Sequence, residues 1–129
     1  MSNHHRQFVT DFCHSLRGGD MAKTCAFLTS DVHYHNTPWA PLTGHAEVRK
    51  LLDPLLHGTK CALRKMDIQN TVSDGEVIMN ARIETWTRRE ITVELPVAGL
   101  FVMRDGLIAR WVDYWDLATI KPLLVLPDD

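Results

Sequence analysis

The hydrophobic positions of this chain change period once, from near 3.6 residues in its first part to 2 in its second. Phe8, Val9, Phe12, Cys13 and Leu16 recur at helical spacing, and the stripe stops at Gly18-Gly19, where a first helix should end. Asp20 can cap a second helix carrying Met21, Cys25 and Leu28, so the two helices are expected to form a hairpin. Residues 31–36 read as a short strand, closed by a loop that contains Pro38 and Pro41. Gly44 and Glu47 open a third helix with Val48, Leu51, Leu52, Leu55 and Leu56 inward; Pro54 falls inside that pattern and should kink or shorten it.

From Lys60 onward the reading is strand, turn, strand, at about 61–72, 76–88, 91–103 and 107–116. Ser73-Asp74-Gly75 and Arg104-Asp105-Gly106 each place a glycine where a tight hairpin needs one. The last segment, from Leu117, holds a short helical turn before a frayed end. Helices followed by a run of antiparallel strands predict an α+β domain with a curved sheet, the helices closing over one face and leaving a pocket. The alternation of polar and apolar residues on the strands predicts cover on both faces, by helices on one side and by a second subunit on the other, hence a homodimer.

At 129 residues with 45% hydrophobic and 23% charged content, the chain suits a single domain over 1–129 with one core and no need of a disulfide or metal staple. Fourteen basic against sixteen acidic residues leave a net charge of -2, without the basic excess that would track nucleic acid. Three cysteines without CxxC spacing, and a start at MSNHHRQ with no apolar signal core, predict a reduced, cytoplasmic setting. No apolar run approaches the ~20 residues of a membrane-spanning helix, so no membrane partner is expected.

Chemistry enters where polar residues occupy a face that should be apolar. Between Val77 and Trp86, the odd positions Val77, Met79, Ala81 and Ile83 are apolar, whereas Ile78, Asn80, Arg82, Glu84 and Trp86 share the other face. Arg82 and Glu84 therefore stand side by side, about 6 to 7 Å apart along the strand. In the last strand Trp111, Asp113 and Trp115 share a face, and in the first Tyr34 and Asn36 do. A solvated surface ion pair would explain Arg82 and Glu84 alone, at under about 1 kcal/mol. Carboxylates among Ile78, Trp86, Trp111 and Trp115 instead suggest a dry pocket, where ionisation is costly unless a cation is held between them. An ionised Asp113, a cationic Arg82 and a protonated Glu84 form a neutral cluster that supplies one proton acceptor and one donor. With Tyr34 and Asn36 fixing a water beside Asp113, the set suits one-step addition of water to a strained electrophile such as an epoxide.

Tyr34-His35-Asn36-Thr37-Pro38, Pro41-Leu42-Thr43-Gly44, Asn80-Ala81-Arg82-Ile83-Glu84, Leu95-Pro96-Val97-Ala98-Gly99, Asp105-Gly106-x-Ile108 and Trp111-x-Asp113-Tyr114-Trp115-Asp116 follow one another in the order of the limonene-1,2-epoxide hydrolases, which the chain resembles over nearly its whole length. The resemblance implies a SnoaL-like, nuclear transport factor 2-like fold: a cone of helices against a strongly curved mixed or antiparallel sheet, dimeric and without cofactor. It implies Asp113 as the base that activates water, held with Tyr34 and Asn36. It implies Arg82 as the bridge between the two acids and a group that touches the epoxide, and Glu84 as the acid that protonates the epoxide oxygen. The family pattern is Arg-x-Asp, so Arg82-Ile83-Glu84 adds a methylene and moves the acid by about 1 Å, a displacement that can cost a hundredfold if uncompensated. Val112 stands where an arginine is common and Trp115 where phenylalanine is, which narrows the expected cavity. A small apolar organic molecule is the expected partner.

Some residues point elsewhere. His33 and His35 form an H-x-H on the face opposite Tyr34 and Asn36, without a third metal ligand at a useful spacing. Cys13 and Cys25 read as core thiols. Trp39, in the proline loop, either shields the pocket or meets a second subunit. The same fold class also serves isomerases, cyclases, dehydratases, carbon-carbon lyases and small-ligand-binding modules, so the site must decide among them.

Overall fold

The computed structural model describes residues 2–56 and 61–124. The chain runs α1 (Ser2–Gly18), α2 (Met21–Cys25), β1 (Leu28–Asn36), β2 (Leu42–Thr43), α3 (Gly44–Leu56), β3 (Ala62–Asp74), β4 (Val77–Arg88), β5 (Ile91–Arg104), β6 (Leu107–Tyr114) and α4 (Leu117–Leu124). Six strands form one mixed sheet in the order β2-β1-β6-β5-β4-β3, antiparallel except for the parallel pair β1 and β6. Register shifts between Leu63 and Lys65 and between Ile68 and Asn70 in β3, and at Ala109 in β6 opposite Val102 and Met103, insert bulges that bend the sheet. The helices lie in the resulting concavity, giving the α+β domain expected from the pattern in the cone shape that the resemblance implies.

Residue type explains most of these elements. α1 turns Val9, Phe12 and Cys13 inward with no exposure. The Phe12 ring meets Phe27, Phe101 and Trp111 edge-on at 5.8, 6.1 and 4.8 Å. Complete burial of such a ring contributes roughly 1.5–3 kcal/mol, so the closed end of the cone is held by aromatic packing. α2 packs on α1 through the Ser15 and Thr24 hydroxyls, 3.1 Å apart. Asp20 caps α2 by accepting from the Lys23 N–H at 3.1 Å, and Glu47 accepts from the Thr43 N–H at 2.8 Å at the start of α3. Asp105 and Gly106, with φ of 54° and 81°, make the positive-φ pair of a tight hairpin.

Several elements differ from the expected ones. Leu28 begins β1 instead of finishing α2: its pairing with Ile108, and the Ile108 N–H donating to the Phe27 carbonyl at 2.9 Å, outweigh the helical spacing. Pro54 does not shorten α3, which continues to Leu56; it lies in the last turn, where only one intrahelical bond is lost. Leu42–Thr43, read as loop, pairs with His33 and Tyr34. A third hairpin turn uses Arg89 at φ 56° in place of a glycine. β6 ends at Tyr114, and Asp116 leaves the sheet to cap α4 by accepting from the Ala118 N–H at 3.0 Å. α4 is eight residues long, with Ile120 and Leu123 packed against Leu95 and Val97. The expected frayed tail over 125–129 and the stretch 57–60 lie outside the described residues.

Candidate active site

β4 presents every second side chain to the concavity, so Asn80, Arg82 and Glu84 lie in line on its inner face, all buried. The Arg82 side chain crosses to β6. Its Nε donates to Glu84 Oε2 at 2.9 Å, its Nη2 to Asp113 Oδ2 at 2.7 Å and its Nη1 to Asn80 Oδ1 at 3.0 Å. One guanidinium thus joins two carboxyl groups and an amide, and the whole residue is 1% exposed. Such a path over the sheet requires a neighbour without a side chain. Gly99, opposite Asn80 on β5, is that neighbour: a Cβ there would stand 2.6 Å from Arg82 Nη1 and 2.9 Å from Asn80 Oδ1.

β1 and β6 bring the remaining parts. Asn36 is the register partner of Asp113, and Tyr34 that of Trp111; the Tyr34 and Trp111 rings stack at 3.8 Å. The end of the strand pair is fastened by Thr37, whose N–H and hydroxyl both donate to the Asp113 carbonyl, at 3.1 and 2.8 Å. Two indoles hold polar heads in place: Trp86 Nε1 donates to Glu84 Oε1 at 3.0 Å, and Trp115 Nε1 to Asn36 Oδ1 at 2.7 Å. With its carbonyl oxygen engaged, the Asn36 amide offers its NH₂ as a donor. Trp39 meets Trp115 edge-on at 5.0 Å.

A hollow with two lobes opens against this cluster. The outer lobe is walled by Trp39, Leu95, Val97, Trp115, Ile120 and Leu123. The inner lobe lies under Leu16, Tyr34, Leu52, Leu63 and Trp111. Asn36, Leu55, Glu84, Trp86 and Asp113 line both, so the two carboxyl groups sit at the waist of an otherwise apolar cavity.

Burial sets the electrostatics. Desolvation raises the Asp113 carboxyl above 3.8, with repulsion from Glu84 adding and attraction to Arg82 opposing. Its Oδ1 is buried and meets no donor at good hydrogen-bond geometry among the described residues, although the indole N–H of Trp111, itself otherwise unpartnered, is near enough to favour the ionised carboxyl. A carboxylate so placed is a stronger base than an exposed one and has an oxygen to use. Arg82 stays protonated, since Asp113 and Glu84 outweigh its burial. Burial, then Asp113 and Glu84, push the Tyr34 hydroxyl well above 10, so it remains a donor.

The structure therefore gathers Asp113, Glu84, Tyr34 and Asn36 around one cavity, with Trp86, Trp111, Trp115 and Trp39 in its walls. Arg82 is one correction: it joins the two carboxyl groups from behind and lines neither lobe, so it does not reach a molecule held there as the resemblance implies. Ile78 is another correction. It shares the inner face of β4, but lies toward the closed end of the cone, fully buried in the core beneath α1 and lining neither lobe. A face shared along a strand does not imply a shared cavity when a helix crosses half of it. His33 and His35 lie on the opposite, convex side, beside Arg110 and Val112. Gly99 and Asn80 were missed as parts of the site. A lone glycine within a strand pattern was the available signal for the first; nothing but the Arg82 contact marks the second.

Residues 9–111 match the SnoaL-like domain family. The chain is 25% identical over 109 residues to the epoxide hydrolase EphG of Mycobacterium tuberculosis, covering 84% of this chain and 71% of that protein. Among solved structures it superposes on a limonene-epoxide-hydrolase-like epoxide hydrolase of M. tuberculosis with a TM-score of 0.80 at 22% identity, over 96% of this chain and 91% of the other. A candidate polyketide cyclase from Xanthomonas campestris superposes with a TM-score of 0.76 at 19% identity, over 91% of this chain and 93% of the other. A family match across four-fifths of the chain, on a fold that superposes on solved relatives over nearly its whole length, makes this protein a member of the SnoaL-like family, with the nuclear transport factor 2-like fold.

Proposed function

We propose that the protein is a cofactor-independent epoxide hydrolase, which adds water to a small apolar epoxide in one step. The observation that carries this reading is the single guanidinium bonded to both a glutamate and an aspartate at the waist of an apolar hollow. Asp113 Oδ1 accepts a proton from water that Asn36 and Tyr34 orient, and the water oxygen attacks an epoxide carbon. As that carbon–oxygen bond breaks, Glu84 gives its proton to the epoxide oxygen. The product is a diol, and the proton now on Asp113 returns to Glu84 to reset the pair. Arg82 keeps the cluster's net charge constant throughout, because one carboxyl gains the proton that the other loses. Similarity to EphG supports the reaction class.

A proton-transfer reaction without hydrolysis, such as a cyclisation or isomerisation, is the second reading. It is favoured by the open Asp113 oxygen, which could equally take a proton from carbon, and by the fold shared with the candidate cyclase. Arg82 bridging a second acid has no evident use in it. Turnover of a panel of small epoxides in ¹⁸O water decides between them: one labelled oxygen in the diol, and none in the protein after a single turnover, is the expected result. Asp113→Asn should abolish most of that turnover while leaving the fold intact; no diol from any epoxide, or a near-normal rate in Asp113→Asn, rejects the hydrolase.

We also propose that the convex face of the sheet joins two copies of the chain, and that the enzyme works in a reducing, cytoplasmic setting suited to its buried Cys13 and Cys25 thiols.

A further inference from the structure

Glu84 is a flexible acid held at one oxygen by Arg82, since only Oε2 receives the Nε donor. One bond leaves the carboxyl free to swing about it, and a glutamate has one more rotatable bond than an aspartate with which to do so. The other oxygen, Oε1, is fixed by the indole N–H of Trp86 at 3.0 Å. Trp86 follows Glu84 by two positions on the inner face of β4. Its register partners are Leu63 on β3 and Val93 on β5, and its side chain packs against the apolar clusters on both sides of the site.

We propose that Trp86 is a positioning residue for the acid: its indole N–H pins Glu84 Oε1 at the cavity waist and stabilises the negative charge that appears there when the proton leaves for the substrate. This inference rests on the hydrolase reading. Before transfer Oε1 carries the proton and accepts the indole N–H weakly. When the Oε1–H bond breaks and the epoxide oxygen takes the proton, the same contact becomes a charge-assisted hydrogen bond and strengthens. The other groups facing Glu84 cannot do this. Arg82 serves both acids, Asp113 repels the charge, the neutral Tyr34 hydroxyl is given to the water beside Asp113, and the Cys13 thiol lies behind Asn80. Trp86 therefore answers the extra methylene of Glu84: the longer side chain reaches a donor that a shorter acid would not.

The test is a double-mutant cycle on epoxide turnover. Trp86→Phe keeps an aromatic ring and deletes the donor, and should lower kcat about tenfold, the usual worth of a hydrogen bond to a group that becomes charged. In the Glu84→Asp background, where the carboxyl no longer reaches the indole, the same change should lower kcat less than twofold, roughly. An equal drop in both backgrounds means that Trp86 only shapes the cavity, and overturns the proposal. A second measurement needs no turnover: ¹H–¹⁵N spectra of the four indoles, assigned by single Trp→Phe variants. Glu84→Gln should move the Trp86 resonance and leave that of Trp39 in place; an unmoved Trp86 resonance also overturns the proposal. If no epoxide is hydrolysed at all, the hydrolase reading fails while the spectra still answer for the contact.

Discussion

On its concave side β4 buries Asn80, Arg82 and Glu84, whereas on its convex side Val77 and Met79 of the same strand are 38% and 43% exposed. An antiparallel sheet with one wet face ordinarily does the reverse. The two sides differ in how they tolerate the inversion. Inside, charge is admissible because guanidinium, carboxyls and amide satisfy one another, so the loss of any member leaves another stranded at low dielectric. Outside, Val72, Val77, Met79 and Tyr114 expose apolar area with no local partner to lose. The concave face should therefore respond steeply and cooperatively to substitution, the convex face shallowly and only in association.

Arg82 should show the largest effect. Arg82→Met keeps length and removes the charge, leaving two buried carboxyl groups without their shared cation. Stability at neutral pH should fall by about 3–5 kcal/mol, the cost of breaking a buried pair from one side. The sign of its pH dependence follows from Asp113, whose carboxyl is raised by burial. A raised carboxyl stabilises the fold in its neutral form below the unfolded value and loses that contribution as pH rises through the folded one. Without Arg82 the rise is greater, so the variant's deficit should shrink as the solution is acidified from pH 7 toward the unfolded value of 3.8. Urea unfolding at several pH values measures this, and a constant deficit would deny that the carboxyls are the cause. Gly99→Ala should act in the same direction but less, at about 1–3 kcal/mol, because its methyl displaces the guanidinium without deleting it.

The convex face should give a smaller effect of a different kind. Met79→Lys places a cation in the apolar face that we assign to a second copy. The expected outcome in sedimentation velocity is a shift from dimer to monomer, with monomer stability changed by no more than about 0.5 kcal/mol. An unchanged sedimentation coefficient, whether the parent is monomer or dimer, removes this face from the assembly.

The same contrast explains how far the amino-acid pattern could be read. Period-2 alternation placed Arg82 and Glu84 on one face of one strand, because side-chain alternation is local geometry. That Arg82 would reach Asp113 depended on β6 lying beside β5, a matter of topology that the order of residues does not contain; the family resemblance supplied it. Ile78 was misjudged for the same reason, since alternation says which face a residue takes but not where α1 covers it. Leu28 went to the wrong element because helical spacing could not register its partner Ile108, eighty positions away. Gly99 was legible only in hindsight: its role is to be absent beneath Arg82 Nη1, and an absence has meaning only once the neighbour is placed.

Cys13 provides the finest test, because it touches the site's edge without taking part in it. Its thiol accepts from Asn80 Nδ2 at 3.5 Å, behind the amide that holds Arg82. Burial pushes the thiol up from 9.0 to about 11, with Arg82 pulling the other way. The sign is that of a neutral group kept neutral: the folded state is favoured below pH 9.0, and the advantage is lost as pH rises toward about 11 while the unfolded thiol sheds its proton. Two pH units at one site correspond to about 2–3 kcal/mol. Tyr34, also buried and raised, adds to the same alkaline limb above 10. Cys13→Ala should thus make the melting temperature fall less steeply between pH 9 and 11, leaving the Tyr34 share in place. Identical slopes in the two proteins would mean that water reaches the thiol. It would then reach Asn80 as well, and the dry concave face on which the contrast with the convex side depends would be wet at its inner end.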